Sequence, residues 1–423
     1  APRLDASRQV RDGVLLRKKG IDAGRRGAAR VTCMKQENAR MIGRRLGLAA
    51  LLVAAPALAD IQIGVYGPFT GGSAGMGVSM RNGANMAAEE INKAGGILGQ
   101  KVVLVERDDE AKNERGAQIM QEFLEKEKVV AVLGPINTGV ADNSTRYANE
   151  KHVPVIINGS AGAKVNEYFA PGADNYIFRL AASDILQTEL IVREAIDVRK
   201  YKKPALICDD TNYGQGGCTK LKAALAKRGL TPVSVGKFKI KDTDMTAQVQ
   251  EAKAAGADVL LVYGIGPELA ALANSLDRIG WKVDMLGGWT ISMEAFIKNA
   301  GKNGNGAAAP LTFIEGDLSN PRQKSFVETY HAKYNQNPIA VAVAAAQGYD
   351  SLYLLKAAIE QAKSTDGAKI KEALENLKAP FVGITGSYPR PFSPTDHEAV
   401  TEQVVKLGVV SDGTVVPKSA YKK

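Results

Sequence analysis

Three short segments place small and hydroxyl-bearing residues where main-chain N–H groups can receive an anionic solute. They are Gly67-Pro68-Phe69-Thr70-Gly71-Gly72-Ser73, which runs on to Gly77, then Gly134-Pro135-Ile136-Asn137-Thr138-Gly139, and Asn158-Gly159-Ser160-Ala161-Gly162. Glycine and alanine let a ligand approach the backbone, while Thr138, Ser160 and free N–H groups at a helix start can hold a carboxylate. Any one of the three alone is an ordinary turn between strand and helix. Three in succession, each after a strand-like run, point to one shared ligand site. A nucleotide cradle fits poorly, because the glycines from Gly72 to Gly77 are not spaced as GxGxxG and no GK[ST] follows.

Catalytic chemistry finds less support. Asp108, Asp109 and Glu110 at a strand end allow a paired-carboxylate site, but VERDDEA reads better as a polar loop leading into a helix. There is no GxSxG, no HExxH and no nucleophile with a nearby histidine. His152, His331 and His397 are widely separated, and no CxxC or His-rich cluster occurs, so no metal and no cofactor are expected. A secreted α/β enzyme remains only a remote alternative. Cys208 and Cys218 could pair in an oxidising compartment or stay as buried thiols, and their spacing leaves both open.

The elements that must position these loops alternate strand and helix, the pattern of parallel βαβ units. Strand Ile61 to Tyr66 precedes a helix from Ser79 to Ala94, whose Met80, Ala84, Ala87 and Ile91 share a face. Val102 to Glu106 precedes a helix from Asn113 to Lys126, buried through Ala117, Met120 and Leu124. Val129 to Leu133, a helix near Val140 to Glu150, Val153 to Ile157 and Tyr176 to Leu180 complete one lobe. A second set follows from Ala205: strands at 205–208, 233–238, 259–263 and 285–287, with helices at 215–228, 245–255 and 268–279. The expected architecture is α/β, with two doubly wound parallel-sheet lobes joined by a multi-crossing hinge. Lobe 1 is expected at 60–181 plus 311–388, and lobe 2 at 182–310 plus 389–423. The ligand belongs in the cleft between them, beyond the carboxyl ends of the strands.

Upstream of the first strand, Arg40, Arg44 and Arg45 precede the apolar run Leu46 to Ala55, then Pro56 and the small-x-small exit Ala57-Leu58-Ala59. That is the pattern of an export leader cleaved after Ala59, leaving 364 residues. Residues 1–33 read as sequence upstream of the true start, at Met34 or Met41, or else as a disordered basic arm. Of the 55 Lys and Arg, 13 lie before Asp60, against only 4 of the 45 Asp and Glu. The leader segment therefore carries +9 of the net +10, and the remainder +1. Nothing in that balance calls for a nucleic-acid partner. A periplasmic protein is expected.

The runs GVYGPFTGGSAGMG, GANMAAEEINKAGGILGQKVVLVERDDE, VVAVLGP and DDTNYGQG resemble the branched-chain amino acid (Leu/Ile/Val) substrate-binding proteins of ABC importers. These have the type I periplasmic binding protein fold. The resemblance extends from Ile61 to about Val416. It implies a monomer that closes on a small-molecule ligand, performs no chemistry on it and delivers it to an ABC permease in the inner membrane. Carried over residue by residue, it puts carboxylate-binding loops at Asn137, Thr138 and Gly139 and at Gly159, Ser160 and Ala161. It puts a ligand-covering side chain at Met76 and a second-lobe tyrosine at Tyr213. Where amino-acid-binding members use an acid for the ligand's ammonium, this chain has Trp289, and an adjacent aromatic position falls on Ile265 or Gly266. An indole is no counter-ion, although its face can stack on a ring or hold a cation weakly. Asp209, Asp210, Glu268 or Asp317 could supply the charge from a neighbouring loop. Otherwise the ligand is an apolar or aromatic carboxylate without an α-ammonium.

Overall fold

The computed structural model describes residues 59–162, 164 and 174–422; the expected leader up to Leu58 lies outside them. The first lobe is built from β1 (Ile61–Gly67), α1 (Ala74–Lys93), β2 (Val102–Asp108), α2 (Asn113–Glu122), β3 (Ala131–Leu133), α3 (Thr138–Glu150), β4 (Val155–Ile157) and β5 (Ile177–Arg179). Its strands run parallel in the order β2-β1-β3-β4-β5. The order reverses between β1 and β3, which opens a crevice at their carboxyl ends.

The second lobe repeats the plan. It comprises α4 (Asp184–Val192), β6 (Pro204–Asp209), α5 (Asn212–Ala226), β7 (Val235–Phe238), α6 (Thr246–Ala254), β8 (Val259–Tyr263), α7 (Gly266–Arg278), β9 (Asp284–Gly287), α8 (Glu294–Ala300) and β10 (Ala308–Leu311). The parallel order is β7-β6-β8-β9-β10, with the corresponding reversal between β6 and β8. The chain then returns to the first lobe through α9 (Pro321–Tyr334), α10 (Ala342–Ala362) and α11 (Gly367–Glu375), followed by the hairpin β11 (Phe381–Val382) and β12 (Ser387–Tyr388). Finally β13 (Lys406–Ser411) and β14 (Thr414–Pro417) extend the second sheet in antiparallel fashion from β10.

Local chemistry explains the layers. Met80, Ala84, Ala87 and Ile91 of α1 are all buried, as their spacing predicts. The adjoining side of α1 is pressed against α10. A Cβ on Gly83 would fall 1.9 Å from the Ala345 carbonyl oxygen, and one on Gly348 2.1 Å from that of Met80. The α2 face differs from expectation: Gly116, Ile119, Met120 and Phe123 are buried, while Ala117 and Leu124 are only half-buried. Two causes are visible. A Cβ on Gly116 would lie 2.3 Å from Val140 Cγ1, so this side must be bare to meet α3. The helix also widens into a π turn at Phe123–Glu127, which shifts its later residues round the axis.

The tail stays longer on the first lobe than a crossing directly after Tyr388 would have it. Arg179 N–H donates to the His397 carbonyl (2.9 Å) and Ala399 N–H to that of Arg179 (3.0 Å), so this segment lies along β5. The fully buried Arg179 guanidinium adds an ion pair to Glu398 and donates to the Gly162 carbonyl at 2.6 Å. The chain reaches the second sheet only at Lys406.

Candidate ligand-binding cleft

The loops after β1, β2 and β3 face those after β6, β7 and β8 across a cavity of about 600 Å³. First-lobe lining includes Thr70, Ser73, Asn137, Thr138 and Gly139; the second lobe contributes Asp210, Tyr213, Ile265 and Glu268 among others. Both sets of loops come from the strand-order reversals, where adjacent loops lead to opposite faces of the sheet and leave a crevice.

On the first-lobe side, Asp108 organises the opening loop. Its carboxylate accepts from Phe69 N–H (2.8 Å), the Thr70 hydroxyl (2.7 Å) and Glu110 N–H (2.9 Å). Asp109 accepts from Ala111 N–H at 2.8 Å. The two aspartates therefore hold loops rather than pairing with each other. Gly134 adopts φ 112°, and a Cβ there would sit 2.2 Å from the Tyr66 carbonyl oxygen, so only glycine turns the chain tightly enough to start α3 at Thr138. Asn137 occupies the cap position of α3 but makes no side-chain capping bond. Its Oδ1 is buried without a partner and its Nδ2 lies 3.4 Å from Ser73 Oγ. The positive end of α3 is thus left uncapped by side chains and directed into the cavity, ready for an anion.

Gly159, Ser160 and Ala161 are buried behind this helix start rather than lining the large cavity. Ser160 Oγ donates to Thr138 Oγ1 at the long distance of 3.5 Å, and the Ala161 carbonyl accepts from Asp184 N–H at 2.7 Å. Met76 is also set apart. Because α1 begins at Ala74, five residues before the expected Ser79, Met76 sits inside the helix and is 1% exposed in the first-lobe core. Gly77 explains the early start: a Cβ there would lie 2.2 Å from the Pro68 carbonyl oxygen, so the opening loop folds back over the helix.

On the second-lobe side, Thr211 caps α5 by accepting from Gly214 N–H at 3.2 Å, which sets Tyr213 in the first turn. The Tyr213 ring packs on Tyr263 with centroids 4.6 Å apart, and its hydroxyl is buried without a partner. Burial, then the neighbouring Asp184 carboxyl, pushes the Tyr213 phenol well above its ordinary range. A Cβ on Gly288 would fall 2.3 Å from that hydroxyl, so the close approach depends on glycine. Tyr263 in turn donates to Asp184 Oδ1 at 2.5 Å, and burial raises the Asp184 carboxyl to about 7.

Trp289 stands elsewhere. It opens a 3-10 turn, is 6% exposed and donates its backbone N–H to Gln187 Oε1 at 3.0 Å. With Gly159, Gln187 and Gln347 it lines a crevice of about 10 Å³, too small for a solute. Position 289 is therefore packed into the seam between the lobes and does not line the open cavity.

Of the acids named as substitutes, Asp317 is ion-paired to Lys406 (2.6 Å) and does not line the cavity. Asp209 lies beneath it, accepting from Thr211 N–H and hydroxyl, with its carboxyl raised to about 6 by burial. Asp210 and Glu268 do line it. The signal for Glu268 was its position: Gly266-Pro267-Glu268 is a helix start, and such a start after a strand in this fold faces the crevice. The lobes also touch at the cavity edge, where Asn212 Nδ2 donates to Asp142 Oδ2 at 2.9 Å. Among the described residues no group of three His, Cys, Asp or Glu is placed to hold a metal ion, and no helix is long and apolar enough to cross a membrane.

The family model described as "Periplasmic binding protein" matches residues 60–413, and the chain belongs to this family, with its type I fold of two doubly wound lobes. "Leu/Ile/Val-binding protein homolog 3" of Brucella melitensis is 32% identical over 342 residues, covering 81% of this chain and 90% of that protein. Among solved structures, the leucine-binding protein LivK of Thermotoga maritima aligns with a TM-score of 0.75 at 25% identity, over 85% of this chain and 97% of that one. The branched-chain amino acid transporter substrate-binding protein LivJ of Streptococcus pneumoniae, in complex with isoleucine, aligns with a TM-score of 0.75 at 25% identity, over 85% and 99%.

Proposed function

We propose that this protein is the extracytoplasmic solute-binding component of an ABC importer, which takes a branched-chain or related amino acid into the interlobe cleft and delivers it to the membrane permease. The observation that carries this is the uncapped start of α3, at Asn137, Thr138 and Gly139, facing Tyr213 across about 600 Å³. The helix start receives the solute's carboxylate; Gly159, Ser160 and Ala161 buttress it from behind. Met76 acts from the core beneath the first loop, and Trp289 as a brace in the seam, rather than as direct contacts. The lobes close about the three chain crossings, near Ala182, Leu311 and Val405. The protein binds its solute without altering it. Cys208 and Cys218 are bonded to each other, and such a bridge favours work outside the cytoplasm, in keeping with cleavage after Ala59.

Thermal-shift and calorimetric titration of the secreted protein test this with leucine, isoleucine and valine beside benzoate and 4-hydroxybenzoate. Stabilisation by amino acids is expected, and Thr138→Ala should weaken binding by roughly tenfold, the loss of one hydrogen bond to a charged group. Stabilisation by the benzoates alone would replace the amino acid with an aromatic carboxylate. No stabilisation by either set, and no small molecule co-purifying in native mass spectrometry, would overturn the solute-binding role.

A further inference from the structure

At the edge of the large cavity the lobes meet through a polar contact whose partners belong to the helices that carry the solute loops. Asp142 lies one turn beyond Thr138 on α3, and its Oδ2 accepts from Asn212 Nδ2 at 2.9 Å. Asn212 opens α5 and directly precedes Tyr213. Asp142 does not line the large cavity; it faces a second one of about 400 Å³ between α3 and α5. The contact is thus tied to both walls of the solute site, while Asp142 itself lies outside it.

The surroundings suit an interface that is made and broken. The residues of α5 that line the second cavity are Asn212, Gln215, Gly216, Thr219 and Lys220, spaced as one helical face. That face is polar, so parting it from α3 exposes little apolar surface and costs little. The helices α1 and α10, which stay together inside the first lobe, are instead pressed close through Gly83 and Gly348.

The half-buried Asp142 carboxylate opposes the approach of the lobes. Its Oδ1 is buried with no hydrogen-bond partner, and burial raises the carboxyl, a shift that the bond from Asn212 counters. Moving the lobes apart returns this carboxylate to water. Keeping them together therefore depends on Asn212, the donor that answers it. An acceptor buried without its donor costs more than the bond contributes, whereas removing both partners comes close to neutral.

We propose that Asp142 and Asn212 form a latch that sets how readily the lobes close, so that the pair governs affinity without Asp142 touching the solute. This rests on the solute-binding role above and adds a positioning pair to it. The latch acts on the population of the binding-competent arrangement, so it changes the affinity for every solute by the same factor.

Calorimetric titration of the full secreted chain tests this with leucine, isoleucine, valine, benzoate and 4-hydroxybenzoate, beside small-angle X-ray scattering of the solute-free protein. Asn212→Ala should weaken every solute that the wild type binds by a common factor of roughly fivefold to tenfold, and should enlarge the solute-free radius of gyration. Adding Asp142→Ala should recover most of both changes, because no carboxylate is then left buried without its donor. Asn212 is exposed and Asp142 half-buried, so unchanged urea midpoints are expected for both variants. A loss in Asn212→Ala that Asp142→Ala leaves in place overturns the latch, since Asn212 would then act by touching the solute. Wild-type affinity and radius in Asn212→Ala overturn it as well. If the wild type binds none of these solutes, the solute-binding role falls and scattering alone decides the latch. Equal radii for wild type and Asn212→Ala then overturn it, and an enlarged radius that the double variant restores upholds it.

Discussion

Cys208 and Cys218 are bonded to each other, joining the end of β6 to the middle of α5 with their Cα atoms 6.1 Å apart. Breaking this bond is a perturbation whose size can be worked out in advance. The bridge closes a loop with a sequence separation of 10 in the unfolded chain, and the loop-entropy relation assigns it about 2.7 kcal/mol. Both cysteines belong to the second lobe, as do Trp281 and Trp289, the chain's two tryptophans. Intrinsic fluorescence therefore reports the lobe that the bond stabilises. Cys208 is fully buried and Cys218 nearly so, so reduction is carried out in urea with dithiothreitol before refolding. With a denaturant slope of roughly 3 kcal/mol per molar for a lobe of this size, the fluorescence midpoint should fall by about 0.9 M urea. Hydrogen exchange in β1, β3 and β4 of the first lobe should be unchanged. Coincident midpoints for oxidised and reduced protein, within about 0.2 M, would refute the reasoning, because the bond would then contribute no constraint on the unfolded state.

Two further predictions concern the folded state. Burial raises the Asp184 carboxyl from its ordinary 3.8 to about 7, so the folded protein holds this proton more tightly than the unfolded chain. That contribution is fully present below pH 3.8 and is lost as pH rises through about 7, a swing on the order of 4 kcal/mol. Asp184→Asn should therefore flatten the decline in urea midpoint between pH 5 and pH 8 and should be the more stable protein at pH 8. Parallel pH profiles for the two proteins would sink the assignment. In the first lobe, Gly83→Ala should cost about 1–3 kcal/mol, because its Cβ meets a carbonyl oxygen of α10 at 1.9 Å. Gly75→Ala, on the same helix but with its nearest neighbour at 3.6 Å, should leave the melting temperature almost unchanged. Equal effects at the two glycines would mean that α1 and α10 are not in close contact.

Much of the fold was legible because the burial pattern is local. Met80, Ala84, Ala87 and Ile91 repeat at helical spacing, and Val259 to Tyr263 is an unbroken apolar run suited to a central parallel strand. What was missed depended on tertiary contact. The α2 face was misjudged because a π turn and a bare Gly116 are decided by the neighbouring α3. The helices at 294–300 and 367–375 are only seven and nine residues long, and strand β10 is the small-residue run Ala308-Ala309-Pro310-Leu311. At the cleft, the loop of Asn137 to Gly139 stood out as a small-residue turn between strand and helix, whereas Tyr213 was reached only through the resemblance to the Leu/Ile/Val substrate-binding proteins. The separation of Trp289 from the open cavity was not, because it depends on how the lobes meet. Glu268 was visible only as an acid at a helix start; its place in the cavity wall needed three dimensions.

The duplicated reversal of strand order has one more consequence. Every residue lining the large cavity belongs to a connection or to a helix's first turn, whereas the layers that stabilise each lobe are made by strand interiors and later helical turns. Choice of cargo and durability of the scaffold are therefore physically uncoupled over most of the lining. Substitution at Thr70 or Ile240, both exposed, can retune what is carried without opening a void in either sheet's packing. The exceptions are Tyr213 and Ile265, which are buried in the core, and Gly139, where a Cβ would lie 2.5 Å from Asn113 Oδ1. A scaffold divided in this way can drift from one nutrient to another through single substitutions, while the glycines and strand runs that mark its ancestry stay in place.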